Sequence, residues 1–463
     1  MQNMTSGNPI KLILKFSLPL LISNIFQQLY SISDIILVGR LVGVEALAAV
    51  GAATPLFFFL VVVSLGFTGG LTIITAQSFG AKNYSRMRKS VATATVLSLT
   101  FTLLFDLCMY FSLDALLRVT NVPDEIYSDC RSFLLVICGG VFFIVMFNLL
   151  SGFMRALGDS KTPLYFLIFT VFVNIFLNVI FIYYGKMGVA GSALGTVTAM
   201  FISVICCLIY INKKFTILKP KAQDWRLTYN FCKEHLIIAL PMAINFSIVA
   251  LSITIVQAIC NTFGFVTIAA MSAAFRVEQL ATQPMLSIGV AMATYVAQNY
   301  GAGKVSRIRH GVRECSLISI LMSVVLALFV FFCGRQIMAV FVEAEDISQE
   351  VFEEIISLAR TYMNISILFY FALGQIFIFR NTCQGMGNSI ISMISSFIEL
   401  LIRCFVALYL AEKFGFIGFC FAGPAAWLGG AAVVCLGYIY LIRKMSKQVF
   451  GLRRKRPILA HMQ

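Results

Sequence analysis

Twelve apolar runs, each about twenty or more residues long, follow one another along this chain, from about 14–38 to about 418–441. A run of that length, wound as a helix at about 1.5 Å per residue, crosses the roughly 30 Å of hydrocarbon in a bilayer. Lipid offers the backbone no water to bond, so helices that satisfy their own amides are the natural spanning element for such runs. The expected fold class is therefore an all-α membrane protein with twelve transmembrane helices. Composition agrees. Of 463 residues 60% are hydrophobic and 12% are charged, about half the charged fraction of a soluble domain. The runs at about 46–76 and 268–299 exceed the hydrocarbon thickness and must tilt or project from it.

The net charge of +15 would suggest a nucleic-acid partner in a soluble chain. Here the loops account for it. With the N-terminus placed in the cytoplasm, 26 of the 35 Lys and Arg fall in cytoplasmic segments and 7 in outer segments or at their edges; Arg276 and Arg403 alone lie within spans. Positive charge collects on the cytoplasmic side of membrane proteins. The expectation is a multi-pass protein of the plasma membrane (the bacterial inner membrane), with both termini cytoplasmic. Its basic tail faces the bilayer surface, and no nucleic acid is implied. The N-terminus runs into the first span without a small-residue cleavage site and reads as a retained first helix. The thirteen cysteines are scattered, mostly in apolar runs without a C-x-x-C pair, and behave as small hydrophobes. His235, His310 and His461 fall at loop or tail positions.

The chain is duplicated. AQSFGAKNYSRMR at 76–88 matches AQNYGAGKVSRIR at 297–309, an offset of 221. Pro19 pairs with Pro241 at 222, Gly158 with Gly387 at 229, and Gly188-x-x-Gly191 with Gly415-x-x-Gly418 at 227. Six spans per half is an even number, so the halves insert in one orientation as pseudo-symmetric six-helix lobes with a central cavity between them. The expected domains are an N-terminal lobe at 1–211, a cytoplasmic linker at 212–235, a C-terminal lobe at 236–441 and a basic cytoplasmic tail at 442–463.

The first span, 16–38, carries Asn24, Gln27, Gln28, Ser31, Ser33 and a single charge, Asp34. Asn24, Gln27, Ser31 and Asp34 share a helical face. A carboxylate in hydrocarbon costs several kcal/mol unless it meets a wet cavity, a partner or a proton. Asp34 is therefore either an ionisable binding group or a structural acid held by nearby amides and hydroxyls. Pro19 removes an amide hydrogen and permits a kink. The offset of 222 places Val256 opposite Asp34, so the acid has no twin in the second half. In the fifth span Asn174 and Asn178 form an i, i+4 amide pair; in the sixth, Ser192 and Thr196 share a face. Oxygen-only groups at this density suit a proton or a hard monovalent cation, though Asn and Thr also join helices structurally. Glu399 and Arg403 stand at i, i+4, either as a self-neutralised pair or as a counter-charge for substrate. Arg276 and Glu278, two apart, need separate partners. Asp106 has no evident mate and reads as an edge or structural group. Gly-rich stretches at 66–70 and 191–195 permit close helix approach and are not phosphate loops. No Walker motif, catalytic triad or cofactor motif is present, so an enzyme is not expected, and active transport would draw on an ion gradient.

The run Pro19…Gln27-Gln28-Leu29-Tyr30…Asp34…Val38-Gly39-Arg40, followed by Gln77-x-x-Gly80-Ala81, Met154-Arg155-Ala156-Leu157-Gly158-Asp159, Lys161-Thr162-Pro163, Gln298-x-x-Gly301-Ala302, Gln384-Gly385-Met386-Gly387-Asn388 and Glu399-x-x-x-Arg403, resembles the multidrug and toxic compound extrusion (MATE) family along nearly the whole chain. The resemblance implies a monomeric exporter with two lobes in a V. H⁺ or Na⁺ enters as small amphipathic, drug-like organic cations leave. It implies that Asp34 holds the coupling cation with Asn174 and Thr196 as companions, and Asn178 adds an oxygen without a second charge; Na⁺ at Asp34 is the one metal to consider. Pro19, Gln27, Gln28, Tyr30, Arg276, Glu278, Glu399 and Arg403 become candidates for the substrate cavity or gating. Two departures from the family pattern stand out: Asn178 replaces a second carboxylate in the fifth span, and 245–257 lacks the seventh-helix acid of one branch. The alternative within the same superfamily is a flippase for lipid-linked saccharides, expected to need several unpaired Arg or Lys for pyrophosphate.

Overall fold

A computed structural model describes residues 2–342 and 348–460, with side chains to 447. His461 and the tail side chains beyond 447 lie outside the described residues. The helices in order are α1 (Pro9–Leu41), α2 (Val44–Gly80), α3 (Tyr84–Val119), α4 (Asp124–Ala156), α5 (Lys161–Asn178), α6 (Gly188–Lys214), α7 (Tyr229–Cys260), α8 (Phe265–Gly301), α9 (Val305–Ala339), α10 (Gln349–Ile367), α11 (Tyr370–Gly385), α12 (Ile390–Cys420) and α13 (Ala422–Ala460). No strand occurs among the described residues. Among the described residues eleven helices are long and apolar enough to cross a membrane, and α10 with α11, bent by 54° at a short break, makes a twelfth when the pair is counted as one span. The protein is an all-helical, multi-pass membrane protein.

Local chemistry sets the helix ends. Asn83 Oδ1 caps α3 by accepting from Arg86 N at 3.0 Å, and Asp159 accepts from Lys161 N and Thr162 N at 3.0 Å ahead of α5. After Asn178 the backbone widens into a π-helical turn, Val179–Tyr184, before α6. Short 3₁₀ turns, Thr216–Leu218 and Ala222–Trp225, lead to α7.

The sequence duplication is repeated in the backbone. Left-handed residues recur in pairs at the repeat offsets: Gly43 and Gly264, Lys82 and Gly303, Gly158 and Gly387, Gly188 and Gly415. Lys82 takes φ 58° just past the end of α2, where its repeat partner is glycine at φ 67°; the αL position after a helix favours glycine, and Lys82 accepts some strain there. The interior pairings match too. In the first half α4 packs on α2 and α6, α5 on α6, and α3 on α2 and α4. In the second half α11 packs on α8 and α13, α12 on α13, and α9 on α8, α10 and α11.

Two compact units result. Unit 1 comprises Met1–Asn3 with Leu18–Ala243, and unit 2 comprises Met4–Ser17 with Ile244–Gln463. The change of unit within α1 and α7 falls within two residues of Pro19 and Pro241. One core gathers Val38, Ala49, Leu113, Ile137 and Val141; the other gathers Met271, Met363, Tyr370 and Trp427.

In unit 1 the segment before Ile244 is held on α3. Asp224 accepts from Arg88 Nε at 3.3 Å. His235 is buried within α7, not in a loop. Its Nδ1 donates to the Phe231 carbonyl at 2.8 Å. In the neutral ring its Nε2 accepts from Ser90 Oγ at 2.8 Å. A side chain at Gly70 would overlap Ala239, the close approach expected of the 66–70 stretch. In unit 2 the repeated motif at 297–309 grips residues 4–7. Gln298 Oε1 accepts from Met4 N at 2.9 Å, Asn299 Nδ2 donates to Met4 O at 3.1 Å, and Arg307 Nη1 donates to Gly7 O at 2.9 Å.

Candidate functional site

In unit 1, α1, α5 and α6 converge on Asp34. Asn178 Nδ2 donates to Asp34 Oδ1 at 2.7 Å and Ser192 Oγ donates to the same oxygen at 2.9 Å. Asn178 Nδ2 also reaches Asn174 Oδ1 at 3.3 Å. Asn174 Nδ2 donates to Thr196 Oγ1 at 3.2 Å, and Thr196 Oγ1 bonds the Tyr30 hydroxyl at 2.9 Å. Asn174, Asn178, Ser192 and Thr196 are buried. The i, i+4 spacings of 30/34, 174/178 and 192/196 put two side chains from each helix on the facing surface. Gly195 allows the contact, because a Cβ there would collide with the Asn178 amide.

The cluster is unequal in its bonds. Asp34 Oδ1 is satisfied by two donors, whereas Asn178 Oδ1 is buried with no hydrogen-bond partner. A buried carbonyl oxygen without a donor is expensive. Carboxylate, amide and hydroxyl oxygens within one buried patch, one of them unpaired, fit a proton or a small hard cation such as Na⁺. Among the described residues no group of three His, Cys, Asp or Glu is placed to hold a metal ion, so a cation here would rely on neutral oxygens around one acid.

The structure thus brings together Asp34, Asn174, Asn178 and Thr196, and adds Tyr30 and Ser192. Tyr30, a cavity candidate by resemblance, bonds Thr196 in the cluster, and Ser192, whose one signal in the sequence is the face it shares with Thr196, bonds Asp34. Gln27 and Ser31 are exposed instead of turning toward the cluster with Asp34. Gln28 is half-buried, and Pro19 O accepts from Ser23 Oγ at 2.8 Å; neither joins the Asp34 bonds.

Unit 2 corrects the expected Glu399–Arg403 pair. Glu399 pairs with Arg380, and both are buried. Ser395 Oγ donates to Glu399 Oε1 at 2.9 Å. Arg380 follows an apolar run and counts among the 26 cytoplasmic Lys and Arg of the sequence; the structure buries it instead. Its neighbours Phe377, Ile378 and Phe379 carry it inside the unit, where Glu399 supplies the charge it needs. Gly430 completes the site, since a Cβ there would stand 2.6 Å from Glu399 Cδ. Arg403 instead donates from Nη1 to Ser252 Oγ at 2.6 Å, with its Nε unpartnered. Glu278 Oε2 accepts from Tyr362 OH at 2.7 Å, and Arg276 lies over the Phe341 ring, 5.9 Å from its centroid. Asp106 Oδ1, in α3, is buried without a partner.

The MatE family model matches residues 19–180 and 241–409, one stretch in each half and well over half of the chain together. The chain belongs to the multidrug and toxic compound extrusion (MATE) family. It is a membrane transporter and not an enzyme. Among curated relatives it is 28% identical over 386 residues to the probable multidrug resistance protein YoeA of Bacillus subtilis (strain 168), covering 81% of this chain and 80% of that protein. It is 25% identical over 455 residues to the probable multidrug resistance protein NorM of Thermotoga maritima, covering 96% and 92%. A crystal structure of a MATE protein in complex with MaL6 superposes with a TM-score of 0.87 at 22% identity, over 96% of this chain and 99% of that one. That likeness is one of fold. Tyr30, Asp34, Asn174 and Asn178 lie inside the first of the two family matches, and Ser192 and Thr196 follow just after it.

Proposed function

We propose that the protein is a secondary multidrug exporter of the bacterial inner membrane. It moves small amphipathic organic cations out of the cell against inward H⁺ or Na⁺. The curated relatives' names support the efflux reading, and the excess of Lys and Arg in the loops supports cytoplasmic termini. The observation that carries ion coupling is the Asp34 cluster. It holds one acid, two buried amides and two buried hydroxyls, with one amide oxygen unpaired.

Asp34 is the acid that takes up the ion. Asn178 and Ser192 hold its Oδ1 in place, while Asn174, Thr196 and Tyr30 extend the oxygen set. Loading a cation neutralises the carboxylate and lowers the cost of closing apolar helices around it. The organic cation does not need to touch Asp34. It needs only to bind more tightly to the conformation from which the ion leaves, because a ligand shifts an equilibrium by its differential affinity. The flippase alternative is disfavoured by how the arginines of unit 2 are used: Arg380 is paired with Glu399 and Arg403 bonds Ser252.

The test is dye efflux from proteoliposomes under an imposed Na⁺ gradient and, separately, an imposed pH gradient. Asp34→Asn is expected to abolish dependence on both while the protein still expresses and folds. A variant that pumps at the wild-type rate with the same gradient dependence returns Asp34 to a structural role.

A further inference from the structure

The internal repeat places an arginine where the Asp34 cluster keeps a neutral amide. Helix α5 starts at Lys161 and α12 at Ile390, both at the offset of 229 set by Gly158 and Gly387, and both helices follow a serine, Ser160 or Ser389. At that offset Asn174 corresponds to Arg403 and Asn178 to Ala407. At the α1–α7 offset of 222, Tyr30 corresponds to Ser252 and Asp34 to Val256. At the α6–α13 offset of 227, Ser192 corresponds to Phe419 and Thr196 to Gly423.

The bonding pattern follows the same correspondence. In unit 1, Tyr30 and Asn174 meet at Thr196 Oγ1. In unit 2 their counterparts bond each other directly, Arg403 Nη1 to Ser252 Oγ at 2.6 Å. Of the groups that could ligate a mobile cation, the unit 2 counterparts keep the Ser252 hydroxyl. Val256, Ala407 and Phe419 belong to its apolar core, and Gly423 has no side chain. A loose cation would find one hydroxyl there, and a guanidinium on a fixed stem needs little more. Glu278 in α8 is bonded by the Tyr362 hydroxyl.

We infer, resting on the reading of Asp34 given above, that Arg403 is a tethered cation filling unit 2's counterpart of the Asp34 cluster, so that unit 1 exchanges its ion while unit 2 carries one that is never released. Arg403 is then a positioning charge. It holds α7 to α12 through Ser252, as a bound cation would, at every stage of the cycle. Glu399, one turn before Arg403 on α12, is already neutralised by Arg380 of α11, so that pair does not supply this charge.

Chemical rescue tests this. Arg403→Ala leaves a guanidinium-shaped gap beside Ser252. It is expected to lower efflux of ethidium from proteoliposomes about tenfold, the change that about 1.4 kcal/mol of lost stabilisation produces. Millimolar guanidinium should restore more than half of the loss and raise the unfolding temperature of the purified variant. Urea, of the same size but neutral, should do neither, and wild-type protein in guanidinium controls for competition at the drug site. Equal rescue by urea, or no rescue by guanidinium, overturns the inference, because the gap would then matter only as lost packing. If Arg403→Ala does not accumulate, Arg403→Lys and Arg403→Gln decide: retained efflux in Lys above that in Gln supports the tethered charge, and Gln equal to or above Lys overturns it. The two readings fail separately. Asp34→Asn reports on the exchangeable site through gradient dependence, whereas guanidinium rescue reports on Arg403 whatever Asp34 does.

Discussion

Gly195 lies against the Asn178 side chain: a Cβ built at 195 would stand 3.1 Å from Asn178 Cγ and overlap its Oδ1. The unpaired amide oxygen of the cluster therefore rests on a position where no other residue fits without moving it. Gly195 acts on the site through Asn178 alone, which makes it a probe of geometry with no change of charge.

Gly195→Ala is expected to push Asn178 off Asp34 and Asn174. The overpacking should cost about 1–3 kcal/mol of stability, and the half-saturating concentration of the driving ion should rise roughly tenfold, the change that about 1.4 kcal/mol of lost binding energy produces. Efflux rate against driving-ion concentration in proteoliposomes measures it. An unchanged ion response in a folded variant removes Asn178 from the site.

Glu399 and Arg380 give a stability prediction. Each is buried and each neutralises the other. Glu399→Gln or Arg380→Gln should destabilise the protein by about 3–5 kcal/mol, because one charge is left buried and uncompensated, and the double variant should cost less than the sum of the singles. Thermal unfolding of the detergent-purified variants reads both effects. Gly430→Ala should resemble Glu399→Gln, since its Cβ takes the space of the carboxylate. Additive single losses would show that the two groups do not act as a pair.

Much of this arrangement is legible in the sequence, and the remainder is hidden for identifiable reasons. The twelve spans follow from run length, and the two halves from the motif at 76–88 and 297–309. The Asp34, Asn174, Asn178 and Thr196 grouping follows from i, i+4 spacing together with the family resemblance. Spacing along a helix also misled: it paired Glu399 with Arg403, when the nearer charge, Arg380, comes from the neighbouring α11. Contacts between helices leave little trace in one sequence. A signal did exist in the glycine doublet 429–430, which leaves room for a carboxylate from α12, and in Phe377-Ile378-Phe379, an apolar run ending directly at Arg380. His235 likewise read as a loop residue because it sits between a basic linker and an apolar run. Its burial depends on Ser90, far away in the chain.

Pro19 marks the place in α1 where the chain passes from unit 2 to unit 1, as Pro241 nearly does in α7. A helix that lacks one backbone hydrogen bond at such a point bends at lower cost. Pro19→Ala is expected to slow turnover several-fold while leaving dye binding within about twofold, since a stiffened rod affects the conformational step more than the bound state. Equilibrium dye binding and initial efflux rate, measured on the same preparation, separate the two. A variant with unchanged turnover shows that α1 need not bend.

The last prediction concerns ion preference. Asn178 presents a donor to Asp34 and leaves its own oxygen unpaired. Replacing the amide by a carboxylate of the same shape removes the donor and adds a second negative charge about a hydrogen bond's length from the first. Two carboxylates that close repel, and a cation between them relieves the repulsion. A small hard cation that binds several oxygens at once gains more from this than the native single acid can offer it. Asn178→Asp should therefore strengthen Na⁺-driven efflux relative to pH-driven efflux, whereas Asp34→Asn should remove both. In the Asn178→Asp, Asp34→Asn double variant the acid count returns to one, but the acid sits on α5 and not on α1. Coupling should stay lost if the cycle depends on the bending of α1, and return if it needs only one carboxylate in the cluster. Proteoliposome efflux under the two separate gradients measures all three variants. An ion preference unmoved by Asn178→Asp would show that α5 contributes packing to the cluster and no ligand to the ion.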